Sequence, residues 1–188
     1  MKQPSYYLFD TAIGLCGIAW SENSGLRGAP AVTFFQLPEA TPKQTESRIA
    51  RRAVARKALA PPPAIARAID QIIRHLDGEP QDFRHIKLDL ENAGEFAREV
   101  YEAARKIPPG KTRTYGELAD IVRKPGAARA VGQALGKNPI ALIIPCHRVR
   151  AAGGKPGGFS AHGGCATKAK MLEIEGAALP RKPASRLI

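Results

Sequence analysis

The sequence has little sulfur. Its 188 residues include three cysteines, Cys16, Cys146 and Cys165. Three scattered thiols cannot form a disulfide framework; they read as reduced cysteines of a cytosolic protein. There is no CxxC pair, and His75, His85, His147 and His162 fall at no ligand spacing, so no metal is expected. No apolar run approaches the ~20 residues that a membrane span needs. No charged n-region precedes an apolar stretch near the N-terminus, so no secretory signal is expected. These absences predict a cytoplasmic protein with no membrane partner. Internal repeats are absent as well. Acidic residues nearly vanish between positions 104 and 170, where only Glu117 and Asp120 face thirteen Lys and Arg.

What remains is globular and basic. Hydrophobic residues make up 44% of the chain, which places it outside the disordered class. The net charge of +12 comes from 29 Lys+Arg against 17 Asp+Glu. It is unevenly spread: residues 1–88 hold 12 basic and 8 acidic side chains, residues 89–188 hold 17 and 9, and the 104–170 stretch alone carries +11. Such a stretch is either a solvated surface or an electrostatic footprint for a phosphate backbone. The asymmetry predicts an N-terminal α/β domain over 1–88, a catalytic and nucleic-acid-binding domain over 89–176, and a loose basic tail over 177–188.

Hydrophobic periodicity predicts the elements. Tyr6 to Phe9 and Leu15 to Trp20 flank Asp10-Thr11-Ala12-Ile13-Gly14 as a β-hairpin, with Ala31 to Gln36 as a third strand. Thr45 is expected to N-cap a helix running to about Ala60. Pro61-Pro62-Pro63 opens a second helix, in which Ile65, Ile69, Ile72, Ile73 and Leu76 recur at helical spacing. Ile86, Leu88 and Leu90 alternate with polar residues, which predicts a strand. Asn92 and Glu95 suit an N-cap and its partner, with Phe96, Val100, Ala104 and Ile107 on one helix face. Thr114 to Val122, a turn at Arg123-Lys124-Pro125-Gly126, and Ala127 to Lys137 read as a helix-turn-helix. Asn138-Pro139 stops the second helix. An apolar run, Ile140 to Ile144, leads to Pro145-Cys146-His147-Arg148. A glycine-rich loop over 151–164 precedes a last helix, Lys168 to Glu175. The fold class is therefore mixed α/β: a small N-terminal sheet with helices, then a mainly helical C-terminal half.

Two segments could carry chemistry. The helix Ala127-Ala128-Arg129-Ala130-Val131-Gly132-Gln133-Ala134 sets one arginine among very small residues. It either packs tightly on a neighbour with Arg129 in solvent, or lies close to a nucleic-acid groove and inserts one planar cation where a base has been displaced. Cys146 is either a small buried hydrophobe or a nucleophile whose thiolate needs a histidine or nearby positive charge. His147 and Arg148 follow it. On an extended chain, adjacent side chains point to opposite sides, so a Cys146–His147 relay requires a turn or an intervening water. Glu175 or Glu173 is available to orient the histidine. Cys16 and Cys165 are expected to be structural.

The residues Pro145-Cys146-His147-Arg148-Val149, with Arg129-Ala130-Val131-Gly132 and Asn138-Pro139 upstream and Gly157-Gly158-Phe159-Ser160 downstream, closely resemble the O6-alkylguanine-DNA alkyltransferases, also called methylated-DNA–protein-cysteine methyltransferases. The resemblance is strongest from Phe96 to Gly176, and weaker over the N-terminal half, where Asp10 to Gly14 looks like that family's first hairpin. It implies a ribonuclease H-like N-terminal domain and irreversible transfer of an alkyl group from guanine O6, possibly also thymine O4, to Cys146. It further implies that His147 acts as base through a water, that Glu175 orients His147, and that Asn138 holds the turn of the cysteine segment. Tyr115 would press on the 3′ phosphate of the target nucleotide and protonate the leaving base. Arg129 would fill the vacated stack, while Ser160 and the main chain at Cys146 and Val149 would bind the flipped guanine. Ala127, Ala130 and Gly132 would meet the minor groove of double-stranded DNA, and Lys124 would touch a phosphate. The expected protein is a monomer without cofactor.

The match has departures. Tyr101 stands where the family often has tryptophan. The loop Ser160-Ala161-His162-Gly163-Gly164 is two residues longer than a Ser-Gly-Gly form, which leaves Glu173 as the fallback for Glu175. The zinc ligands of some animal members are not evident. A non-catalytic lesion-binding relative is the alternative, and such relatives lack the acceptor cysteine. A cysteine hydrolase gives no reason for the basic stretch. A transcription regulator would carry several base-reading side chains on its recognition helix, where this chain has alanines.

Overall fold

A two-residue turn, Ala12-Ile13, folds the first apolar runs into an antiparallel hairpin, β1 (Ser5–Thr11) and β2 (Gly14–Ser21), in register from Ser5 opposite Trp20 to Thr11 opposite Gly14. The structure, a computed structural model, describes residues 3–22, 29–155 and 157–177. β3 (Ala31–Gln36) pairs with β2, and a short β4 (Arg56–Lys57) runs parallel to β1, giving the order β3-β2-β1-β4. β2 is buried on both faces, which is why it reads as an almost unbroken apolar run. Cys16, Ile18 and Trp20 face the main core, while Ala19 meets Tyr6, Phe34 and Ile49 under the first helix. Gly17 lies on that second face, where an added Cβ would come within 2.7 Å of Ile49 Cδ1. The helix thus sits so close to the sheet that a side chain at position 17 would have to displace that of Ile49.

Helix α1 (Pro42–Ala53) is capped by Thr41, whose side chain accepts from the Gln44 N–H at 3.3 Å, not by Thr45. Thr45 is buried one turn later, where its hydroxyl accepts from the Glu39 N–H at 2.9 Å. Pro42 at the first helical position favours the earlier start. The helix also ends short of Ala60, because Val54 takes a left-handed conformation, φ 49°, and the chain turns into β4. α2 (Pro63–Leu76) begins at the triple proline and buries Ile65, Ile69, Ile72 and Leu76. Each such side chain contributes roughly 1.5–3 kcal/mol on burial. His75 is buried on the same helix.

The predicted strand at 86–90 is only a single parallel bridge, Val32 to Leu88. Val32 alone of β3 pairs with it, its N–H donating to the Lys87 carbonyl and its carbonyl accepting from the Asp89 N–H, both at 2.9 Å, while Arg105 Nη2 holds the turn before it through the carbonyls of Phe83, Arg84 and Ile86. α3 (Glu95–Arg105) is capped by Gly94, not Asn92, which is taken up in a turn closed by Ala93 N–H to Leu90 C=O at 2.9 Å. Val100, Tyr101, Ala103 and Ala104 form its buried face, and the Tyr101 hydroxyl donates to the Ala134 carbonyl at 2.9 Å. One buried apolar cluster runs from Phe9 through Val100 and Ile140 to Met171, so both halves of the chain share a core.

Five elements then frame the site. α4 (Tyr115–Ile121) follows a short strand β5 (Arg113–Thr114), and α5 (Ala128–Gly136) follows a turn with Arg123 at φ 56° and Gly126 at φ 82°. β6 (Val149–Arg150) pairs parallel with β5, and α6 (Cys165–Ile174) closes the described chain. The basic tail from 178 onward lies outside the described residues. No helix among the described residues is long and apolar enough to cross a membrane.

Candidate active site

Asn138 builds the turn that presents the cysteine. Its Nδ2 donates to the Ile144 carbonyl at 2.9 Å, and its Oδ1 accepts from the Ile140 N–H at 2.9 Å. One side chain therefore ties both ends of the 140–144 run. The run is a tight turn rather than a strand, with Leu142 at φ 73°. A non-glycine residue held left-handed costs about 1–3 kcal/mol, which the Asn138 bonds and the surrounding burial offset. The chain then enters a single 3-10 turn, Cys146–Arg148. That turn, not an extended strand, carries the cysteine and histidine.

Cys146 is 9% exposed, at the base of a cleft of about 510 Å³ lined by Tyr115, Arg129, Gly132, Phe159 and Ser160 among others. Burial pushes its thiol pKa up. A hydrogen bond from Asn138, the charge of Lys168 and the N–H groups of Cys146 and His147 act in the opposite direction. The resting group is accordingly a thiol surrounded by groups that favour its anion. Lys168 is fully buried; its Nζ donates to the carbonyls of Val149 at 2.6 Å and Gly158 at 3.3 Å and lies 5.9 Å from the Tyr115 ring centroid. Burial lowers its pKa, and the neighbouring thiols Cys146 and Cys165 counteract this.

Behind the cysteine, Glu175 gathers four donors. Its Oε1 lies 2.8 Å from His147 Nε2 and 3.0 Å from His75 Nε2. Arg148 donates through Nε at 3.1 and 3.0 Å to the two oxygens and through Nη2 at 2.8 Å. The Gly110 N–H reaches Oε2 at 3.4 Å. Burial alone would raise the Glu175 pKa, but hydrogen bonds from His147 and His75, the His147 charge and the Arg148 bond hold it well below the usual carboxylate range. An ionised carboxylate only accepts, so His147 Nε2 carries the proton. Its Nδ1 is then the basic nitrogen, and that atom is buried without a partner among the described residues. Burial lowers the His147 pKa; Glu175 raises it, and Arg148 and His75 lower it further. The imidazole is thus a neutral, oriented base beside the cysteine. Glu173, the fallback, is exposed on α6.

Tyr115 is fixed by the first turn of α4. The Thr114 hydroxyl accepts from the Glu117 N–H at 3.1 Å, and Glu117 Oε2 accepts from the Thr114 N–H at 2.6 Å, a reciprocal cap. The ring lies against backbone on two sides. A Cβ on Gly132 would sit 3.8 Å from it, and one on Gly157 (φ 74°) would approach the hydroxyl to 2.8 Å. Glycine at 157 is required by both its conformation and this contact. Burial and the Cys146 charge raise the Tyr115 pKa, so its hydroxyl keeps a proton to donate.

The structure brings Cys146, Tyr115, Arg129, Gly132 and Ser160 to one cleft, and His147, Asn138 and Glu175 behind it. Arg129 is exposed at the cleft rim. Ala130 lies on the other flank of α5, lining a separate cavity of about 1040 Å³ with Gln133, Ala134 and Lys137. That larger space does not reach Cys146. Ala127 and Lys124 precede α5, with Lys124 exposed. The main chain of Val149 is already engaged: its N–H meets the Cys146 carbonyl and its carbonyl takes Lys168. Of the thirteen cations at 104–170, nine are exposed; Arg148, Arg150 and Lys168 are buried and Arg105 is half-buried. His75 and Lys168 stand outside the cysteine-and-helix pattern, and Arg148 lies within it but its pairing with Glu175 is not legible there. Only helical periodicity, which puts His75 and Lys168 on buried faces, hints at those two.

Residues 95–177 match the family model described as the 6-O-methylguanine DNA methyltransferase DNA binding domain. A methylated-DNA–protein-cysteine methyltransferase of Mycobacterium tuberculosis is 46% identical over 119 residues, covering 63% of this chain and 70% of the relative. One of Methanothermobacter thermautotrophicus is 41% identical over 119 residues, covering 63% and 65%. The solved Mycobacterium tuberculosis O6-methylguanine methyltransferase superposes with a TM-score of 0.71 at 36% identity, over 95% of this chain and 96% of that one. Mycobacterium tuberculosis OGT in complex with DNA gives 0.69 at 35% identity over 92% of both chains. Sequence and fold agree, and the chain belongs to the methylated-DNA–protein-cysteine methyltransferase family.

Proposed function

We propose that the protein repairs alkylated DNA by direct reversal, moving a methyl or other alkyl group from guanine O6 to Cys146. The observation that carries this reading is the base of the cleft: a buried thiol next to a histidine whose Nδ1 is free and whose Nε2 is held by Glu175 at 2.8 Å. Displacement at a saturated carbon needs a soft, strong nucleophile, which thiolate supplies. His147 Nδ1 takes the Cys146 proton through a bridging water, and Glu175 stabilises the resulting imidazolium. The sulfur forms its bond to the alkyl carbon as the carbon–O6 bond breaks. The electron pair leaves on guanine, and Tyr115 supplies a proton to the leaving base. The product is a thioether, which water does not readily cleave, so each molecule acts once.

The target atom lies inside the duplex and the nucleotide must rotate out, at an unstacking cost of a few kcal/mol. Tyr115 at the cleft wall pushes on the adjacent phosphate, and Arg129 at the rim fills the stack. Ser160 and the main chain at Cys146 and Val149 hold the base. α4 and α5 serve as the helix-turn-helix, with Ala127 and Gly132 admitting the minor groove of double-stranded DNA and Lys124 touching a phosphate. Ala130 belongs to this surface only at its edge. The division into 1–88, 89–176 and a basic tail, monomeric action and a cytoplasmic location complete the proposal. Presence of Cys146 disfavours a lesion-binding relative that does no chemistry.

Cys146→Ala tests the assignment. Transfer from O6-methylguanine DNA should vanish while duplex binding persists. Transfer that continues in this variant would place the acceptor elsewhere and overturn it.

A further inference from the structure

We infer that His75, on α2 of the N-terminal half, is a positioning residue for the alkyl-transfer base: it holds the Glu175 carboxylate that orients His147. The inference rests on the role proposed above for His147 and extends it to a residue outside the cysteine segment.

His75 is 1% exposed and lies 100 positions from Glu175 in sequence, yet its Nε2 sits 3.0 Å from Glu175 Oε1. Its protonation is set from the other side. Nδ1 lies 3.0 Å from the backbone N–H of Gln81, which can only donate. Nδ1 therefore accepts, and Nε2 carries the ring proton and donates to Glu175. The ring is also pinned by Phe83, with centroids 4.9 Å apart at 52°. A neutral histidine in one tautomer, locked at both nitrogens and one face, is a rigid donor.

That donor shares an oxygen with His147. Oε1 of Glu175 takes hydrogen bonds from His75 Nε2, His147 Nε2 and Arg148. Two consequences follow. The carboxylate is pinned in orientation by groups from α2, from the turn after Pro109 and from the cysteine turn, so the His147 ring is held through Nε2 and its buried Nδ1 is left without a partner among the described residues. Each competing donor also weakens the pull of Glu175 on the His147 proton, and so acts with burial to favour the neutral imidazole. The charged and titratable groups facing this pair are Arg148, His75, Cys146 and, beyond the thiol, Lys168, Tyr101 and Tyr115. Among them His75 is a neutral donor to Oε1, so its removal alters hydrogen bonding without altering the charge count.

The test is the pH profile of the second-order rate with free O6-benzylguanine, which avoids any pH effect on DNA binding. His75→Phe keeps the ring packing and removes both nitrogens; His75→Gln restores an N–H donor. Without the donor, Glu175 binds the imidazolium more tightly, His147 stays protonated to higher pH, and the acid limb moves up by roughly one pH unit, the scale of one charge-assisted hydrogen bond. The loss of rate should be larger below the limb than above it, and His75→Gln should return the limb towards wild type. A uniform loss at all pH values in His75→Phe, an unmoved limb, or equal shifts in both variants overturns the inference. The thermal midpoint of each variant identifies any folding defect. Wild type and His147→Ala, run alongside, separate the two claims: a His147→Ala rate equal to wild type would refute the base itself, whereas a strong His147 effect with an unmoved His75→Phe limb refutes only His75.

Discussion

Replacing Glu175 by alanine should damage both stability and chemistry, and the structure sets the size of each effect. The carboxylate is 0% exposed at its side chain, and Arg148 is 5% exposed. With Glu175 gone, the Arg148 guanidinium stays buried and keeps the bond that its Nη1 donates to the Ile107 carbonyl. His75 and His147 lose their acceptor, and Gly110 loses a weaker one. Breaking a buried pair from one side costs about 3–5 kcal/mol, because an uncompensated charge remains. For a chain of this size that is a fall in thermal midpoint of roughly 6–20 °C. His147 loses its orientation and the stabilisation of its imidazolium, and positioned base catalysis is worth at least about a hundredfold. Urea titration and the single-turnover rate on O6-methylguanine DNA measure the two effects. Glu175→Ala with Arg148→Met removes both charges, so the double variant should recover much of the stability and none of the rate. Stability within about 1 kcal/mol of wild type for Glu175→Ala alone, a surface-pair value, would refute the buried network.

Other predictions follow from the same geometry. Arg129→Ala should slow reaction with duplex DNA by about tenfold or more, the scale of a kcal/mol or two of flipping support, while leaving the rate with free O6-benzylguanine nearly unchanged; equal losses in the two assays would show that Arg129 supports the active site instead. Duplex affinity should fall linearly in log–log plots against salt, with a slope of about −4 if roughly half of the exposed cations at 104–170 meet phosphates, and a slope near zero would contradict a phosphate-dominated interface. Burial pushes the Cys16 thiol up to about 12, above its ordinary 9.0. The folded state thus favours the protonated thiol, so this contribution is complete below about pH 9 and is lost as pH rises towards 12. The stability advantage of wild type over Cys16→Ala, read from urea midpoints, should therefore shrink between about pH 7 and pH 10; a widening gap would contradict the burial.

Local patterns carried much of the fold. The hairpin, β3 and α2 follow from period-two and period-3.6 runs, and the proline triplet marks the start of α2 where the structure has it. Caps were less legible, because several residues compete for one position. Thr41 and Thr45 both offer a hydroxyl, and Pro42 decides between them; Asn92 is diverted into a turn, and Gly94 takes the cap. The alternation at 86–90 has the pattern of a strand, but β3 meets it only at Val32, and Arg105, distant in sequence, holds the turn that leads into it.

The site divides in the same way. Cys146, His147 and Asn138 lie in one stretch and could be read from it, and the 3-10 turn answers how adjacent cysteine and histidine can cooperate. Their support is nonlocal. His75 reaches Glu175 across 100 positions, and Lys168 meets Val149 only because α6 folds back on the cysteine turn. Charge counting was misleading in one respect: Arg148, Arg150 and Lys168 add to the positive sum at 104–170 but lie inside the protein. Composition registers charge and cannot tell a phosphate contact from an internal one.

The most direct measurement is the mass of the protein and its tryptic peptides after incubation with excess duplex DNA containing O6-methylguanine. One methyl group per protein molecule, carried on the peptide containing Cys146 and absent from those containing Cys16 and Cys165, is the predicted result. No mass gain, a gain on another cysteine, or DNA demethylated in excess of the protein present would contradict single-use transfer to Cys146.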